Sequence, residues 1–340
     1  MPKQCSMAEA LRDALREEMQ RDPAVFLIGE DIGIPKGFGG PFTVTLGLSE
    51  ELGRERIVDT PVSENAIVGA AVGAAMMGMR PVAEMQYGDF VFCCMDQVIN
   101  QAAKMHYMSG GQVRVPMVLR IPVGATGRGA QHAQNTEPYF LQAAGLKSVA
   151  PCNAYDAKGL MKSAIRDDNP VLFFEHKLLY GSKGARKESG ALDVTSEIPD
   201  ADYVVPLGSA AVRREGSDIT IVGLMRTVYT ALQAAAQLAE EGVEAEIIDL
   251  RSLNPLDFQT IQESLAKTNR LVTVEESNLC GGWGAELSAQ IMEKAFDLLD
   301  APVLRVGAPN TPVPAAPPLE NYFIPSVEKV LSAARRVLNL

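Results

Sequence analysis

The 340-residue sequence predicts an α/β protein built of two domains, each with a mostly parallel sheet. Three observations predict it. Short continuous apolar runs alternate with amphipathic stretches, as buried parallel strands and their crossover helices do. The alternation stops after Tyr180 and resumes at Asp218, which divides the chain. Composition is globular, at 47% hydrophobic and 21% charged residues.

The elements follow in order. Ser6-x-x-Glu9 is a capping box before Leu11, Ala14, Leu15 and Met19 at helical spacing. Residues 24–28 (AVFLI) predict a buried strand, and Ile57–Asp59 a short one. A helix made almost wholly of Gly and Ala follows Ser63. Residues 81–87 predict a strand, 89–108 one long helix, and 115–121 a strand. Residues 146–150, 155–166 and 171–175 predict a strand, a helix and a strand. The stretch from Gly181 to Asp200 is polar and rich in Gly and Ser, and predicts a linker. Beyond it, strands are predicted at 219–224, 245–250, 271–274 and 303–306. Helices are predicted at 228–241, 258–267, 285–296 and 327–337. The domain division is 1–185, a linker 186–206, and 207–340. Disorder is expected only near 182–196 and 309–318.

The formal net charge is −11 and dispersed, which argues against nucleic acid as a partner. Five cysteines without a CxxC pair predict reduced thiols, no thiolate metal site and a cytoplasmic location. No apolar run approaches the length of a membrane span, and the N-terminus has no secretory apolar core. No GxxxxGK[ST], GxGxxG or GxSxG pattern occurs, which leaves nucleotide and serine-hydrolase chemistry unsupported.

Four features can carry chemistry. Glu64 sits in the first turn of the Gly/Ala helix, with Ser63 as the expected N-cap. It reads either as a carboxylate complementing the helix dipole or as a partly buried acid aimed at a ligand. Behind it Ala66, Ala70 and Ala74, and Gly69 and Gly73, recur four apart, so a neighbouring helix can approach closely. His132 lies in a glycine-rich loop after a strand, as many active-site residues do. Phe90 opens the segment after Tyr87-Gly88-Asp89, where an aromatic can wall a heterocycle site or simply pack. His106, His176 and Trp283 read as structural.

The motifs DTPVSE, VGAAVGAAMMGMRPVAE, DQVINQAAKMHYMSGG, GAQHAQ, DAKGLMKSAIRDDNPVLFFE and KLLYG carry a resemblance. So do GVEAEIIDLRSLNPLD, KTNRLVTVEE and TPVPAAPPLENYFIP. Nearly the whole chain resembles the β subunits of thiamine-diphosphate-dependent 2-oxo acid dehydrogenases. The resemblance implies a transketolase-like pyrimidine-binding domain followed by a transketolase C-terminal-like domain. It implies that Glu64 hydrogen-bonds the cofactor's N1′ nitrogen and promotes the imino tautomer. It implies that Phe90 stacks on the pyrimidine, that Val62 flanks it, and that His132 assists acyl transfer to a lipoyl group. Met117, Ala164, Asp167 and Asn169 match a segment that holds a structural monovalent cation such as K⁺.

The family's GDG…N motif for diphosphate and Mg²⁺ has no match in this sequence. The resemblance therefore implies half a site, completed by an α subunit in an α₂β₂ heterotetramer. A second β subunit and a lipoyl acyltransferase core are the other implied partners. The implied reaction is oxidative decarboxylation of a 2-oxo acid, pyruvate or branched-chain, with acyl transfer to lipoyl groups. Alternatives are an acetoin-cleaving β subunit, half of a split transketolase-like enzyme, and a structural subunit without catalysis. Retention of Glu64, Phe90 and His132 argues against the last.

Overall fold

The computed structural model describes residues 3–181 and 191–340. Most of the 182–196 segment expected to be disordered lies outside the described residues. The first half opens with β1 (Lys3–Cys5), α1 (Met7–Arg21), β2 (Val25–Gly29), α2 (Leu48–Leu52), β3 (Ile57–Asp59), α3 (Glu64–Met76) and β4 (Arg80–Glu84). It continues with α4 (Met105–Met108), β5 (Val118–Val123), β6 (Lys147–Val149), α5 (Ala154–Arg166), β7 (Val171–His176) and β8 (Ser196–Ile198). The second half comprises β9 (Ala211–Arg214), β10 (Ile219–Gly223), α6 (Arg226–Glu240), β11 (Ala245–Asp249), β12 (Ser252–Asn254) and α7 (Phe258–Thr268). It ends with β13 (Leu271–Asn278), α8 (Trp283–Lys294), β14 (Leu304–Ala308), α9 (Pro317–Phe323) and α10 (Val327–Leu338).

Two sheets organise the molecule. The larger runs β12-β6-β7-β5-β4-β2-β3, parallel except where β12 meets β6. The smaller runs β14-β13-β10-β11-β9, parallel except for β9. Strands β2, β5, β7, β10 and β11 are almost wholly buried, as helices on both faces require. In the larger sheet the chain goes outward from β2 to β3, then α3 carries it back past β2 to β4. The order reverses there, so a crevice opens at the carboxyl ends of β2 and β4.

The capping box of α1 forms: Ser6 Oγ accepts the Glu9 N–H at 3.3 Å, and Glu9 Oε2 accepts the Ser6 N–H at 2.9 Å. Three expectations need correction. Ser63 occupies the N-cap position of α3, but its side chain makes no capping hydrogen bond. The single helix expected over 89–108 is a 3₁₀ turn (Gly88–Cys94), a π segment (Asp96–Ala102) and the short α4. Gly88 explains the tight start, because a Cβ there would lie 2.8 Å from Val123 and 2.9 Å from the Pro122 carbonyl. The 309–318 segment is anchored rather than disordered: Val313 is buried with Phe323, Ala308, Ala125 and Ala133.

The halves interlock. β12 comes from the second half yet pairs with β6. Trp283 is 2% exposed and belongs to a core that contains residues of both halves, among them Ile121, Leu224 and Leu250. Arg213 bridges Asp156 at the start of α5 and Asp249 at the end of β11, and Arg251 Nη1 donates to Asp156 Oδ1 at 3.0 Å. β8 falls within the predicted linker and pairs antiparallel with β1.

Candidate active site

The candidate catalytic and cofactor-binding residues follow carboxyl ends of parallel strands. Glu30 follows β2, Glu64 opens α3 after β3, Phe90 follows β4, His132 lies beyond β5 and Lys177 follows β7. This is the end at which open parallel sheets bind ligands.

Phe90, His132 and Tyr87 meet in a three-ring cluster. The Tyr87 and His132 rings are 5.1 Å apart, Phe90 and His132 5.4 Å, and Tyr87 and Phe90 5.7 Å, all edge to face. Edge-to-face contact is the favoured arrangement for such rings, and it fixes the imidazole. Lys177 Nζ donates to the His132 carbonyl and lies 5.0 Å from the Tyr87 ring centre. Phe42 stacks on Tyr180 at 4.7 Å and meets Tyr87 edge-on at 5.9 Å. Phe90 and His132 remain partly exposed, whereas Tyr87 is buried.

A buried ion network supports the cluster from below. Sheet register places Glu84 of β4 beside Arg120 of β5. Arg120 is 1% exposed and grips Glu175 through Nε at 2.8 Å and Nη2 at 2.7 Å, while Nη1 donates to Glu84. Tyr180 donates to Glu175 Oε2 at 2.5 Å. Burial pushes Glu84 up to about 7 despite the guanidinium, and Glu175 adds to the rise. Two carboxylates thus share one guanidinium.

Glu64 is half-buried at the mouth of α3, and no donor among the described residues bonds its carboxylate. Glu30 is buried nearby; burial first, then the Glu64 and Asp31 carboxylates, push it up from the ordinary range. Val62 is 78% exposed just before the helix. α3 packs on the Gly88–Cys94 turn that carries Phe90. Its outer face leaves Ala66, Ala70 and Gly73 exposed, and a Cβ on Gly73 would meet nothing within 4 Å.

The carried-over cation residues lie elsewhere, at the amino ends of β5 and β7. The Met117 carbonyl accepts Val171 N–H at 2.9 Å, and the Ala164 carbonyl accepts Asp167 N–H at 3.3 Å. Asp167 Oδ1 accepts the Asn169 N–H and Nδ2 at 2.8 Å each, and Oδ2 accepts Lys147. The oxygen-rich turn suits a hard cation, though Lys147 and Arg80 already bond oxygens there. A separate trio, Cys152, Asp156 and Asp249, has its ligand atoms within 4.8 Å of one another. Arg213 and Arg251 already neutralise those carboxylates, which makes it an ion cluster joining the halves.

Sequence reasoning missed Tyr87, Glu30 and Lys177. Each directly follows, or lies within three residues of, the carboxyl end of a predicted strand, and that position was the available signal.

Two domain models match the chain: the transketolase pyrimidine-binding domain over residues 3–183 and the transketolase C-terminal domain over 208–330. The acetoin:2,6-dichlorophenolindophenol oxidoreductase subunit beta of Bacillus subtilis (strain 168) is 44% identical, covering 99% of this chain and 98% of that protein. The mitochondrial pyruvate dehydrogenase E1 component subunit beta of Dictyostelium discoideum is 45% identical, covering 98% and 91%. The chain belongs to the transketolase-like dehydrogenase β-subunit family. Another member, the 2-oxoisovalerate dehydrogenase subunit beta of Bacillus subtilis (strain 168), is 43% identical over 98% of both chains. A solved structure described as a split gene transketolase, inactive beta4 tetramer, shares the fold at a TM-score of 0.77, with 22% identity and 99% coverage of both chains. Membership in this family makes the chain part of a thiamine-diphosphate-dependent oxidoreductase.

Proposed function

We propose that the chain is the β subunit of an α₂β₂ 2-oxo acid dehydrogenase that decarboxylates pyruvate or a branched-chain 2-oxo acid and passes the acyl group to lipoyl-lysine. The observation that carries this reading is the Glu64 carboxylate, which no donor among the described residues bonds and which opens α3, the helix packed on the turn that bears Phe90. The residues fit the cofactor's aminopyrimidine: an acid for a weakly basic ring nitrogen, a flat aromatic wall and the exposed Val62.

Thiamine diphosphate supplies the carbon nucleophile for the 2-oxo carbonyl and accepts the electrons released with CO₂. Glu64 shares a proton with ring nitrogen N1′. Phe90 would hold the pyrimidine as a flat aromatic wall, and Val62 as an apolar neighbour. His132, held by Tyr87 and Phe90, delivers a proton to the sulfur released when the lipoyl S–S bond opens and its other sulfur takes the acyl group.

The diphosphate and Mg²⁺ are assigned to the α subunit, and the exposed Ala66–Ala70–Gly73 face of α3 to a subunit contact. The β-subunit names of the relatives support both. A second β subunit and the lipoyl acyltransferase core complete the proposed assembly. The Met117, Ala164, Asp167 and Asn169 turn is the proposed monovalent-cation seat. Five unpaired cysteines support a cytoplasmic setting. An acetoin substrate is the second reading, favoured by the acetoin relative.

The test is co-expression with the neighbouring α subunit and assay against pyruvate, branched-chain 2-oxo acids and acetoin. Turnover of a 2-oxo acid by the complex, and by neither chain alone, is the expected result. Tight binding of thiamine diphosphate and Mg²⁺ by this chain alone would contradict the half-site.

A further inference from the structure

We propose that Glu320 and Glu276, both from the second half of the chain, are positioning residues for the His132 loop. The loop cannot fix itself. It carries Gly124, Gly127 and Gly129 at positive φ, and its internal bonds are long: Gly124 N–H to the Gln134 carbonyl at 3.3 Å, His132 N–H to the Gly129 carbonyl at 3.4 Å. Its short ties go outward. Glu320 Oε2 accepts the Gly127 N–H at 2.6 Å, across 193 residues of sequence. Glu276 Oε1 accepts the Ala125 N–H at 2.7 Å, across 151 residues. Bonds to ionised acceptors are the stronger class.

The Glu276 carboxylate is itself held. Glu276 Oε2 faces His176 Nε2 at 3.1 Å and Arg226 Nη1 at 3.2 Å, at the end of β13. Burial opposes its ionisation, but His176 and Arg226 outweigh that and hold Glu276 down to about 2. Gly124 lies against the same His176: a Cβ there would sit 2.2 Å from Nε2. Around these bonds Ala125 and Ala133 of the loop are buried with Ala308, Val313 and Phe323. Ala125 and Ala133, near the two ends of the loop, are thereby stapled to the end of β14 and the segment after it, while His132 beside Ala133 turns to Tyr87 and Phe90. His132 is aimed from the first half by Tyr87, Phe90 and Lys177, and from the second half through Glu320 and Glu276.

This inference rests on the acyl-transfer role assigned to His132. Its test uses the assembled α–β complex with two readouts: acyl transfer to a lipoyl domain against decarboxylation with an artificial electron acceptor, and amide hydrogen exchange across 124–134. Glu320→Ala should speed exchange in the loop and lower transfer between about 10- and 100-fold more than decarboxylation. Glu320→Gln keeps an acceptor oxygen and should restore most of both. Glu320 is partly exposed, so neither variant threatens the core. Unchanged exchange in Glu320→Ala, or faster exchange with the two rates falling in parallel, would overturn the positioning role. His132→Ala is the separate control. If it leaves transfer intact, the His132 role fails, while the exchange result still decides whether Glu320 orders the loop.

Discussion

Glu137→Gln should flatten the dependence of stability on pH. Glu137 is 1% exposed in the 3₁₀ turn that follows the His132 loop. Its Oε1 accepts Asn135 Nδ2 at 3.3 Å, and Oε2 is buried without a partner among the described residues. Burial, with repulsion from Glu275 and Glu276, pushes it up to about 8 from the ordinary 4.5. The raised value means that the folded state keeps a proton that the unfolded chain releases between those two values. Its stabilising effect is complete below pH 4.5 and is lost as pH rises through 8. Linkage with these two values gives a loss of about 3 kcal/mol between pH 5.5 and 8.5. Glutamine resembles the protonated acid and does not titrate, so the variant lacks this component. The assay is urea unfolding of wild type and variant at both pH values. The variant should be the more stable protein at both pH values, by a margin that grows by about 3 kcal/mol between pH 5.5 and 8.5. Glu84, pushed up to about 7 mainly by burial, is not among the charges that act on Glu137 and tilts both proteins alike. A variant that keeps the wild-type slope would refute the assignment of a buried neutral acid.

Other perturbations probe the supports of the site. Arg120→Leu strands Glu84 and Glu175 in the sheet and should cost about 3–5 kcal/mol in urea unfolding. A cost below about 1 kcal/mol would mean the network relaxes or admits water. Gly124→Ala drives a Cβ into His176 at a positive φ and should slow acyl transfer as the loop shifts; a wild-type transfer rate would argue against that coupling. His132→Ala should lower transfer to a lipoyl domain far more than decarboxylation with an artificial acceptor, and equal losses would count against its role.

Much of this architecture is legible in the sequence because buried parallel strands are long apolar runs. β2, β7, β10 and β11 fall where AVFLI, VLFFE, ITIVGL and AEIIDL predict them. β1, β8, β9 and β12 carry no such signal. They are three or four residues long, lie at sheet edges or in the β1–β8 ribbon, and include polar residues. Partners far away in sequence create them. The 88–102 segment misleads because its apolar spacing fits an α-helix while Gly88 and Asp89 are tied to β5 and Gln134. Phe90 and His132 were visible as residues, but their contact with each other and with Tyr87 depends on adjacent β4 and β5. Glu320 was invisible as a site residue, since nothing local in a Pro-rich segment signals a bond to Gly127.

The central claim is that Glu64 acts on the cofactor ring rather than on its own helix dipole. Glu64→Gln in the assembled complex tests it most directly, by decarboxylation rate measured alongside tetramer mass and thermal stability. The account predicts loss of decarboxylation with assembly and stability unchanged. Full decarboxylation by that variant would contradict it.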